Sequence, residues 1–395
     1  MGHRTRQDGT LLPLYLAVFV AVLGFSLVAP IFPGYAMGLG ASYTLLGVIV
    51  SVYGAVQLIT QVPIGRLSDR NGRKRILLAG LTTFTFMPIL YLYARDAYIL
   101  LLIRAVGGVG ASAVWPLAMA MIMDQARRRG EAMGWYNASF FSALACGPFL
   151  GGLLYDLMGI SAPFLFWAML GAASLLIVQL RVREPDRVRT EIGRISAPGG
   201  GRLIDHGYEM TFLACCSVVL LAGILGGFNY TMLPGYASGL GLSATDVGLI
   251  YLVYGGTTAL SNVYFGRQAD RGRRRQLVFF GCLGGTISFA LLSIATELLQ
   301  VAFLFGLIGL GIGIGGPAAA ALIADTTSSD RRGEIFGIFN TSRMAGVVVG
   351  PLVAGLTADA YGISGTLEVF TAIAASVTLL TLAVRDPLTT RKVFA

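Results

Sequence analysis

The chain has 395 residues, of which 55% are hydrophobic and only 12% are charged. Its mean hydropathy of +0.73 is far too high for a soluble domain. A net charge of +9 is also compatible with a nucleic-acid ligand, but the positions of the basic residues argue against that interpretation. The composition therefore excludes a soluble globular protein and favours a chain that lies mostly within a membrane.

Apolar runs long enough to cross a membrane occur twelve times, since a span needs about 20 apolar residues. They lie at 11–33, 43–64, 76–94, 98–122, 132–155, 161–182, 210–236, 244–265, 276–295, 299–323, 334–358 and 363–384. Only 183–209 is long enough to be a linker, and it is charged with a turn-forming stretch at 197–201. We therefore expect an all-α membrane protein with one six-helix bundle at 1–182 and another at 210–395.

The basic residues report the topology of the chain. When alternate loops are assigned to opposite sides of the membrane, all but three of the 29 Lys and Arg residues fall on one side. Arg95 lies in an opposite loop, whereas Arg104 and Arg343 lie within spans. By the positive-inside rule both termini are cytoplasmic. An odd number of spans would spoil this partition, so the charges support a twelve-span protein of the inner membrane without a nucleic-acid partner.

Two charged segments about half a chain length apart are near copies of one another. Residues 65–75 recur as residues 266–275, and at an offset of 201 Asp124 matches Asp325. From residue 129 onward the matching offset becomes 203. An even number of helices per half leaves the halves parallel, related by an axis along the membrane normal. The duplication therefore predicts two pseudo-symmetric bundles, with the cleft between them as the natural substrate site.

The repeated charged segment resembles the signature loop of the major facilitator superfamily, in which a Gly, an Asp and a basic cluster join helices 2 and 3. Helix 1 resembles that of the twelve-helix drug:proton antiporters, with Leu23-Gly24 followed by Pro30 and Pro33. Helix 4 resembles theirs through Leu101, Arg104, Gly108, Gly110 and Ala111, with Gly107 in place of the usual Gln. Helix 5 resembles their packing motif, with Ala143 in place of a Gly. The packing residues of this motif and its repeat are Gly134, Gly147, Pro148, Gly151, Gly152, Gly346, Gly350, Pro351 and Gly355.

The resemblance implies a cytoplasmic gate built from the two charged segments. Asp69 would lie at the N-terminus of helix 11, where a carboxylate is favoured by up to about 2 kcal/mol. Arg73 would bridge to Asp124 of helix 4, with Asp270, Arg273 and Asp325 as the counterpart. A topology anchor needs only basic residues, so the matched Asp residues favour a gate. The predicted gate comprises Gly65, Asp69, Arg70, Gly72, Arg73, Asp124, Gly266, Asp270, Arg271, Arg273 and Asp325.

Arg104 and Arg343 are the most informative residues inside the predicted spans. An Arg at mid-membrane costs about 2.5–3.5 kcal/mol on insertion scales, so each is expected to face a polar cavity or a partner. A structural Arg bonded to backbone carbonyls is the alternative. Further side chains suit an aromatic wall or a hydrogen bond to a ligand, and packing explains each of them equally well. These candidates are Trp115, Asn229, Tyr53, Gln57, Tyr254 and Phe25.

The acidic residues bear on what drives transport. Of the 20 Asp and Glu residues, only Glu368 is predicted within the membrane, about a turn from the outer end of helix 12. Many drug:proton antiporters place a carboxylate deep in helix 1 or helix 4, and helix 1 contains none here. The interior formal charge is therefore positive, which suits anionic or neutral substrates better than lipophilic cations.

Together these features predict a monomeric secondary active transporter that works by rocker-switch alternating access. The leading hypothesis is efflux of small amphipathic or drug-like compounds, driven by the proton gradient. A carrier for an anionic or neutral metabolite is one alternative, and a non-transporting receptor or lipid-interacting protein is another. Neither a nucleophile–base constellation nor metal-ligand spacing occurs in the sequence, so no enzyme activity, metal or cofactor is predicted. The expected partners are a small-molecule substrate and the lipid bilayer.

Overall fold

The computed structural model describes residues 4–126, 128–184, 204, 206–269, 271–327 and 331–387, and these form helices joined by short connections. In chain order the helices are α1 (Arg4–Ser26), α2 (Phe32–Gly38), α3 (Tyr43–Asn71), α4 (Arg73–Leu92), α5 (Ala97–Gln125), α6 (Arg129–Met158), α7 (Ser161–Arg181), α8 (Glu209–Thr231), α9 (Leu233–Gly239), α10 (Ala244–Ala269), α11 (Arg274–Leu291), α12 (Leu298–Asp325) and α13 (Arg332–Leu380). Short 3₁₀ turns follow α11 at Leu292–Ile294 and α13 at Thr381–Ala383.

The predicted spans coincide with these helices. Within the described residues, nine helices are long and apolar enough to cross a membrane, and Leu11–Ser26 is a shorter apolar helix. α13 is one of the nine but holds two predicted spans, because Gly362 interrupts its helical backbone. α10 covers the predicted span 244–265. Each of the twelve spans falls on one helix, on a helix and the start of the short helix after it, or on one half of α13, which confirms the prediction of an all-α, twelve-span membrane protein.

Glycines mark equivalent places in the two repeats. α6 ends at Gly159, where φ is 81°, and α13 is interrupted at Gly362, where φ is 71°. Only glycine adopts this left-handed backbone without a steric penalty. The two positions are related by the offset of 203 that the sequence repeat has in this region. α13 therefore corresponds to α6 and α7 of the first repeat, joined across a kink.

Side-chain caps determine where several helices begin. At the start of α5 the carboxylate of Asp96 accepts a hydrogen bond from the backbone N–H of Ile99 at 2.9 Å. α10 begins with a capping box, in which the N–H of Asp246 donates to Ser243 Oγ at 3.1 Å and the N–H of Ser243 donates to the Asp246 carboxylate at 2.9 Å. These helix starts are encoded by side chains within one turn of the boundary.

The helices pack into two compact units. Unit 1 is drawn from Met1–Asp186 and Tyr230–Leu252, and unit 2 from Arg187–Asn229 and Val253–Ala395. Tyr230–Leu252 belongs to the second sequence repeat but packs in unit 1, where α9 contacts α2. The predicted bundle boundaries follow the repeat, whereas the units follow contacts, so those boundaries stay a prediction. Most of the predicted linker at 183–209 lies outside the described residues.

In unit 1 the glycine motif of α6 lies where this helix meets the end of α1. A Cβ added to Gly147 would lie 1.8 Å from Oγ of Ser26, and one added to Gly151 would lie 1.7 Å from the carbonyl oxygen of Leu27. Ser26 Oγ also donates a hydrogen bond to the carbonyl of Ala143 on α6 at 3.1 Å. The two backbones therefore touch directly, which only small residues permit.

Unit 2 repeats this contact between α13 and α8. A Cβ added to Gly346 would lie 2.2 Å from the carbonyl oxygen of Leu220, and one added to Gly350 would lie 2.5 Å from that of Ile224. One turn further along α8, a Cβ added to Gly227 would lie 2.5 Å from the ring of Pro351. The repeated Gly-Pro sequence thus brings the same pair of helices together in each half of the sequence.

The remaining glycines of the predicted packing motif differ from one another. Gly355 of α13 is buried. Gly134, near the start of α6, is exposed, and a Cβ added to it would meet no atom within 4 Å. No close helix contact among the described residues depends on Gly134, because its surroundings leave room for a side chain.

Gly151 and Gly134, both on α6, give a matched test of the backbone contact between α1 and α6. We expect Gly151→Ala to lower the thermal unfolding midpoint of the detergent-purified protein, because overpacking a close contact costs roughly 1–3 kcal/mol. Gly134→Ala should leave the midpoint unchanged or raise it slightly, since alanine favours the helix. Equal midpoints for the two variants would show that α1 and α6 do not need this contact.

Candidate functional site

Arg104 of α5 is buried in unit 1, with 7% of its surface exposed. Its guanidinium carbon lies 3.9 Å from the ring centroid of Phe32 and 5.6 Å from that of Tyr53. The rings of Phe25 and Tyr91 lie 6.0 Å away. Attraction between a desolvated cation and aromatic faces is worth about 2 kcal/mol or more. The surrounding rings therefore offset part of the cost of keeping this cation away from water.

Arg104 has no acidic counterion among the described residues, where every ion pair within 4 Å involves other side chains. Its Nε atom is buried without a hydrogen-bond partner in the protein, as are the Tyr91 hydroxyl and the indole Nε1 of Trp167. The rings of Tyr91 and Trp167 lie 6.0 Å apart. Buried polar groups are rarely left unpaired in proteins, so this cluster has unused capacity to bind a polar or anionic group.

Two glycines of α5 make room for the cluster. A Cβ added to Gly108 would lie 2.6 Å from the carbonyl oxygen of Tyr53, so α5 and α3 are in backbone contact there. A Cβ added to Gly107 would lie 2.3 Å from the sulfur of Met87. Gly107 stands where the antiporter motif usually has Gln. Because the thioether of Met87 lies against Gly107, the surroundings of Arg104 are apolar on this side.

The other candidates of unit 1 lie on the helices that surround Arg104. The rings of Phe25 and Tyr53 stack at 5.2 Å with an interplanar angle of 20°. Gln57 is half-buried one turn beyond Tyr53 on α3. Trp115 of α5 makes an edge contact with Phe84 at 5.1 Å. Phe25, Tyr53 and Arg104 therefore form one cluster, to which Gln57 and Trp115 are neighbours on α3 and α5.

The remaining predicted candidates belong to unit 2. Asn229 is buried near the end of α8, and Tyr254 of α10 contacts Phe305 edge-on at 6.4 Å. Arg343 of α13 donates a hydrogen bond to Asn340 Oδ1 at 3.2 Å. Glu368 is exposed on the second half of α13. Among the described residues, no group of three or more His, Cys, Asp or Glu side chains is placed to hold a metal ion.

The charged segment of the first repeat forms a small ion-pair cluster at the start of α4. Arg73 donates a short hydrogen bond to the carboxylate of Asp124 at the end of α5, and its other terminal nitrogen lies 3.4 Å from the carboxylate of Asp69. Gly72 joins α3 to α4 at φ 100°, a conformation that requires glycine. The predicted contact of Asp69 with the N-terminus of the eleventh span, which corresponds to the start of α13, stays a prediction.

Glu184 also belongs to this cluster, and sequence reasoning missed it. The backbone N–H of Arg73 donates to Glu184 Oε1 at 2.6 Å, and that of Lys74 donates to Oε2 at 2.9 Å. A carboxylate that accepts two N–H groups at a helix N-terminus stabilises that end of the helix. Glu184 follows α7, more than 100 residues from α4 in sequence, so no local pattern could have indicated this cap.

In the second repeat the basic partner of Asp325 is Arg274, not the predicted Arg273. Arg274 donates a short hydrogen bond to the Asp325 carboxylate, and its Nε donates to the carbonyl of Ala269 at 2.9 Å. The correction follows from the repeat itself, since the offset of 201 that relates Asp124 to Asp325 also relates Arg73 to Arg274. Arg273 is exposed just before α11, and Asp270 lies outside the described residues.

The remaining residues of the predicted gate are two exposed Arg residues and two Gly residues. Arg70 and Arg271 are exposed. A Cβ added to Gly65 would meet no atom within 4 Å, and one added to Gly266 would meet only Pro317 at 3.9 Å. These two glycines therefore make no close helix contact, in contrast to Gly147 and Gly151 of α6.

A second polar contact missed by sequence reasoning lies at the far end of α6. The Asp156 carboxylate accepts hydrogen bonds from the backbone N–H of Thr245 at 2.8 Å and from its hydroxyl at 2.6 Å. Thr245 is in the first turn of α10, so Asp156 neutralises the positive end of that helix. With a rise of 1.5 Å per residue, Asp156 lies roughly 40 Å along α6 from Arg129.

Glycines bring the two helices together beside this contact. A Cβ added to Gly152 would lie 2.1 Å from the carbonyl oxygen of Ala244, and one added to Gly248 would lie 2.5 Å from that of Pro148. Gly152 and Pro148 were predicted as packing residues from the helix 5 motif. One face of the motif thus contacts α1, and another contacts the start of α10.

The assignment of Arg274 can be tested against its neighbour. We expect Arg274→Ala to lower the thermal unfolding midpoint in detergent, because it removes a charged hydrogen bond worth roughly 1.5–3 kcal/mol and leaves Asp325 unpaired. Arg273→Ala should have little effect, because Arg273 is exposed. A larger decrease of the unfolding midpoint for Arg273→Ala than for Arg274→Ala would favour Arg273 as the partner of Asp325.

Comparison with known proteins agrees with this architecture. An MFS-type transporter of Methanocaldococcus jannaschii is 27% identical over 368 residues, which cover 91% of this chain and 94% of the relative. The quinolone resistance protein NorA of Staphylococcus aureus is 25% identical, with 88% of this chain and 89% of the relative covered. A solved structure of a bacterial homologue of the human lysosomal transporter Spinster, inward-facing and occupied, superposes with a TM-score of 0.80 at 15% identity, over 96% of this chain and 97% of that one. The family model of the Major Facilitator Superfamily matches residues 14–204 and 211–394, and the chain belongs to this superfamily of membrane transporters.

Proposed function

We propose that this chain is a secondary active transporter that exports small amphipathic compounds from the cell by alternating access, in exchange for protons. The observation that carries the proposal is the buried Arg104 beneath the ring of Phe32 at 3.9 Å, within a wall of further aromatic side chains. Aromatic faces bind the apolar part of a ligand, and a single buried charge orients its polar part. The name of the NorA relative, which records resistance to quinolones, supports a cargo of this kind.

Proton exchange as the driving force is inferred from the resemblance of three helices. It rests on the similarity of helices 1, 4 and 5 to those of drug:proton antiporters. The acidic side chain that the sequence places within a span is Glu368, which is exposed on the second half of α13. A carboxylate that takes up and releases a proton during the cycle needs access to water, which an exposed side chain facing an aqueous cavity would have.

One observation favours a second candidate function, a carrier for an anionic metabolite. Arg104 and Arg343 lie within spans, and among the described residues no carboxylate lies within ion-pair distance of either. A substrate that brought its own negative charge would supply the missing counterion. Such a carrier would move its substrate without an obligatory proton.

Proteoliposomes that contain a pH-sensitive dye separate these functions. With a fluorescent quinolone as probe and an imposed pH gradient, we expect the probe to move together with a measurable change in internal pH. Probe movement without a pH change would contradict the antiporter mechanism and favour the carrier for an anionic metabolite. Saturable binding of the probe without movement would indicate a receptor instead.

The same assay tests the role of Arg104. We expect Arg104→Gln to lower the initial transport rate at least tenfold, since a buried charged contact to a ligand is worth about 1.5–3 kcal/mol. Arg104→Lys should also be impaired, because an ammonium does not stack on aromatic rings as a guanidinium does. Arg95→Gln, which changes an exposed Arg in a loop, serves as the control. Wild-type transport rates for both Arg104 variants would show that this residue serves only in packing.

We further propose that the two polar contacts at opposite ends of unit 1 stabilise opposite states of the transport cycle. The Asp69–Arg73–Asp124 cluster lies on the side that the basic residues predict to be cytoplasmic. The Asp156–Thr245 contact lies near the end of α6, about 40 Å along that helix from Arg129 at its start. Weakening either contact should favour opening at that end. The Asp156 cap on α10 is worth about 0.5–2 kcal/mol, and the predicted contact of Asp69 with a helix N-terminus is of similar size, so each change should shift the ratio of states by about two- to thirtyfold.

Labelling of an interior cysteine measures this shift. In a background without the four native cysteines, Gln57→Cys reports access of a membrane-impermeant maleimide from each side. We expect Asp69→Asn to raise labelling from the cytoplasmic side and Asp156→Ala to raise labelling from the outside. Asp96→Ala, which removes a cap within a single helix, is the control. Changes in the same direction for both gate variants would contradict the proposal.

A further inference from the structure

Unit 2 contains a partly open cavity of about 140 Å³. Its walls come from α8, α10, α11, α12 and the first and second halves of α13, so it lies among the helices of this unit. The lining is mainly apolar side chains and glycine backbone, including Val218, Leu221, Gly285, Ile312 and Gly315. The polar side chains of Arg343, Asn262 and Thr286 complete it.

Glycines create the space. Gly285 of α11 is buried, but a Cβ added to it would meet no atom within 4 Å. Gly315 of α12 is also buried, and its nearest neighbour would be Val218 at 3.7 Å. Protein interiors are normally close-packed, so open space beside a buried glycine is a void that the surrounding side chains do not fill.

The same helices are in tight backbone contact directly beside these two glycines. A Cβ added to Gly281 would lie 2.7 Å from the carbonyl oxygen of Gly311, and one added to Gly311 would lie 2.5 Å from that of Gly281. This backbone contact fixes the distance between α11 and α12 on one side of the void. The cavity therefore lies beside a close helix crossing, and its walls at Gly285 and Gly315 lack the side chains that would close it.

Arg343 is an exposed side chain that lines the cavity and gives it a positive charge at mid-membrane depth. It lies 11 residues beyond Arg332, at which α13 begins, and therefore roughly 16 Å along the helix, about half the thickness of a hydrocarbon core of about 30 Å. Its terminal nitrogen donates to Asn340 Oδ1 at 3.2 Å, and among the described residues no carboxylate lies within 4 Å of it. An ionisable side chain at this depth usually serves a functional site.

We propose that this cavity binds a small monocarboxylate with a benzene-sized apolar group, whose carboxylate pairs with Arg343 and whose apolar group lies beside Gly285. The size follows from the volume, since an apolar cavity of about 150 Å³ accommodates benzene. The charge follows from Arg343, because a planar guanidinium can donate two hydrogen bonds to one carboxylate. Asn262, which is exposed where it lines the cavity, is a further polar side chain of its wall. The site lies within one unit, so binding does not require the transport cycle.

The probe is 4-fluorobenzoate, titrated into the full-length protein in nanodiscs and followed by fluorine NMR. We expect saturable binding that unlabelled benzoate displaces, and binding of the neutral 4-fluorobenzyl alcohol about tenfold weaker. Arg343→Gln should weaken 4-fluorobenzoate binding about tenfold and leave the alcohol nearly unaffected. No saturable binding of 4-fluorobenzoate to the wild-type protein would overturn the proposal.

Two neighbouring glycines provide the matched pair that locates the ligand. Gly285→Leu should abolish saturable binding of both probes, because its side chain fills the void. Gly284→Leu should bind as the wild type does, since Gly284 is exposed and also has room for a side chain. If Gly285→Leu does not fold, Gly285→Val and the Arg343→Gln result carry the same distinction. Unchanged binding in the Gly285 variant, or loss of binding in Arg104→Gln with retention in Arg343→Gln, would place the ligand elsewhere.

Discussion

Helix backbones that touch without intervening side chains hold each unit of this transporter together. In a membrane the hydrophobic effect does not distinguish a neighbouring helix from lipid, so association depends on close packing and on polar contacts between helices. Gly151 against Leu27 in unit 1 and Gly350 against Ile224 in unit 2 provide such contacts. They set the distances between α1 and α6 and between α8 and α13, and the polar contacts form on the resulting framework.

The same framework decides where side chains are missing. Gly107 and Gly108 of α5 bring Met87 and Tyr53 against the helix, which encloses Arg104 in apolar and aromatic groups. Gly281 and Gly311 bring α11 and α12 together, and Gly285 and Gly315, four residues further along each helix, border the cavity that Arg343 also lines. Both Arg residues of the predicted spans thus lie where glycine has shaped the surroundings. One is enclosed by aromatic rings, and the other borders a cavity.

The two repeats use the same polar chemistry with different burial. Arg73 and Arg274 each pair with an Asp at the end of the helix that follows in their repeat, and their side chains are 26% and 9% exposed. Glu184 adds a cap to the first cluster, whereas carbonyl groups of Ala269 and Ala321 accept from Arg274 in the second. Duplication preserved the ion pair, while the neighbouring groups that satisfy it diverged. The two repeats therefore differ in how strongly the surrounding groups stabilise this ion pair.

The sequence alone determined the number of spans, their approximate limits and the family, because spans of about 20 apolar residues, loop charges and a repeated motif are local or periodic signals. It also singled out Arg104 and Arg343, because a charge within an apolar run is conspicuous. Only the tertiary structure decided what surrounds them. Phe32, Tyr91 and Trp167 around Arg104, and Gly285 beside the cavity of Arg343, come from helices far apart in sequence, and apolar residues in a membrane chain carry no mark of which face they occupy. The pairings of Glu184 with α4 and of Asp156 with α10 were likewise invisible, since a carboxylate near a helix end can cap any helix N-terminus that packing brings within hydrogen-bond distance.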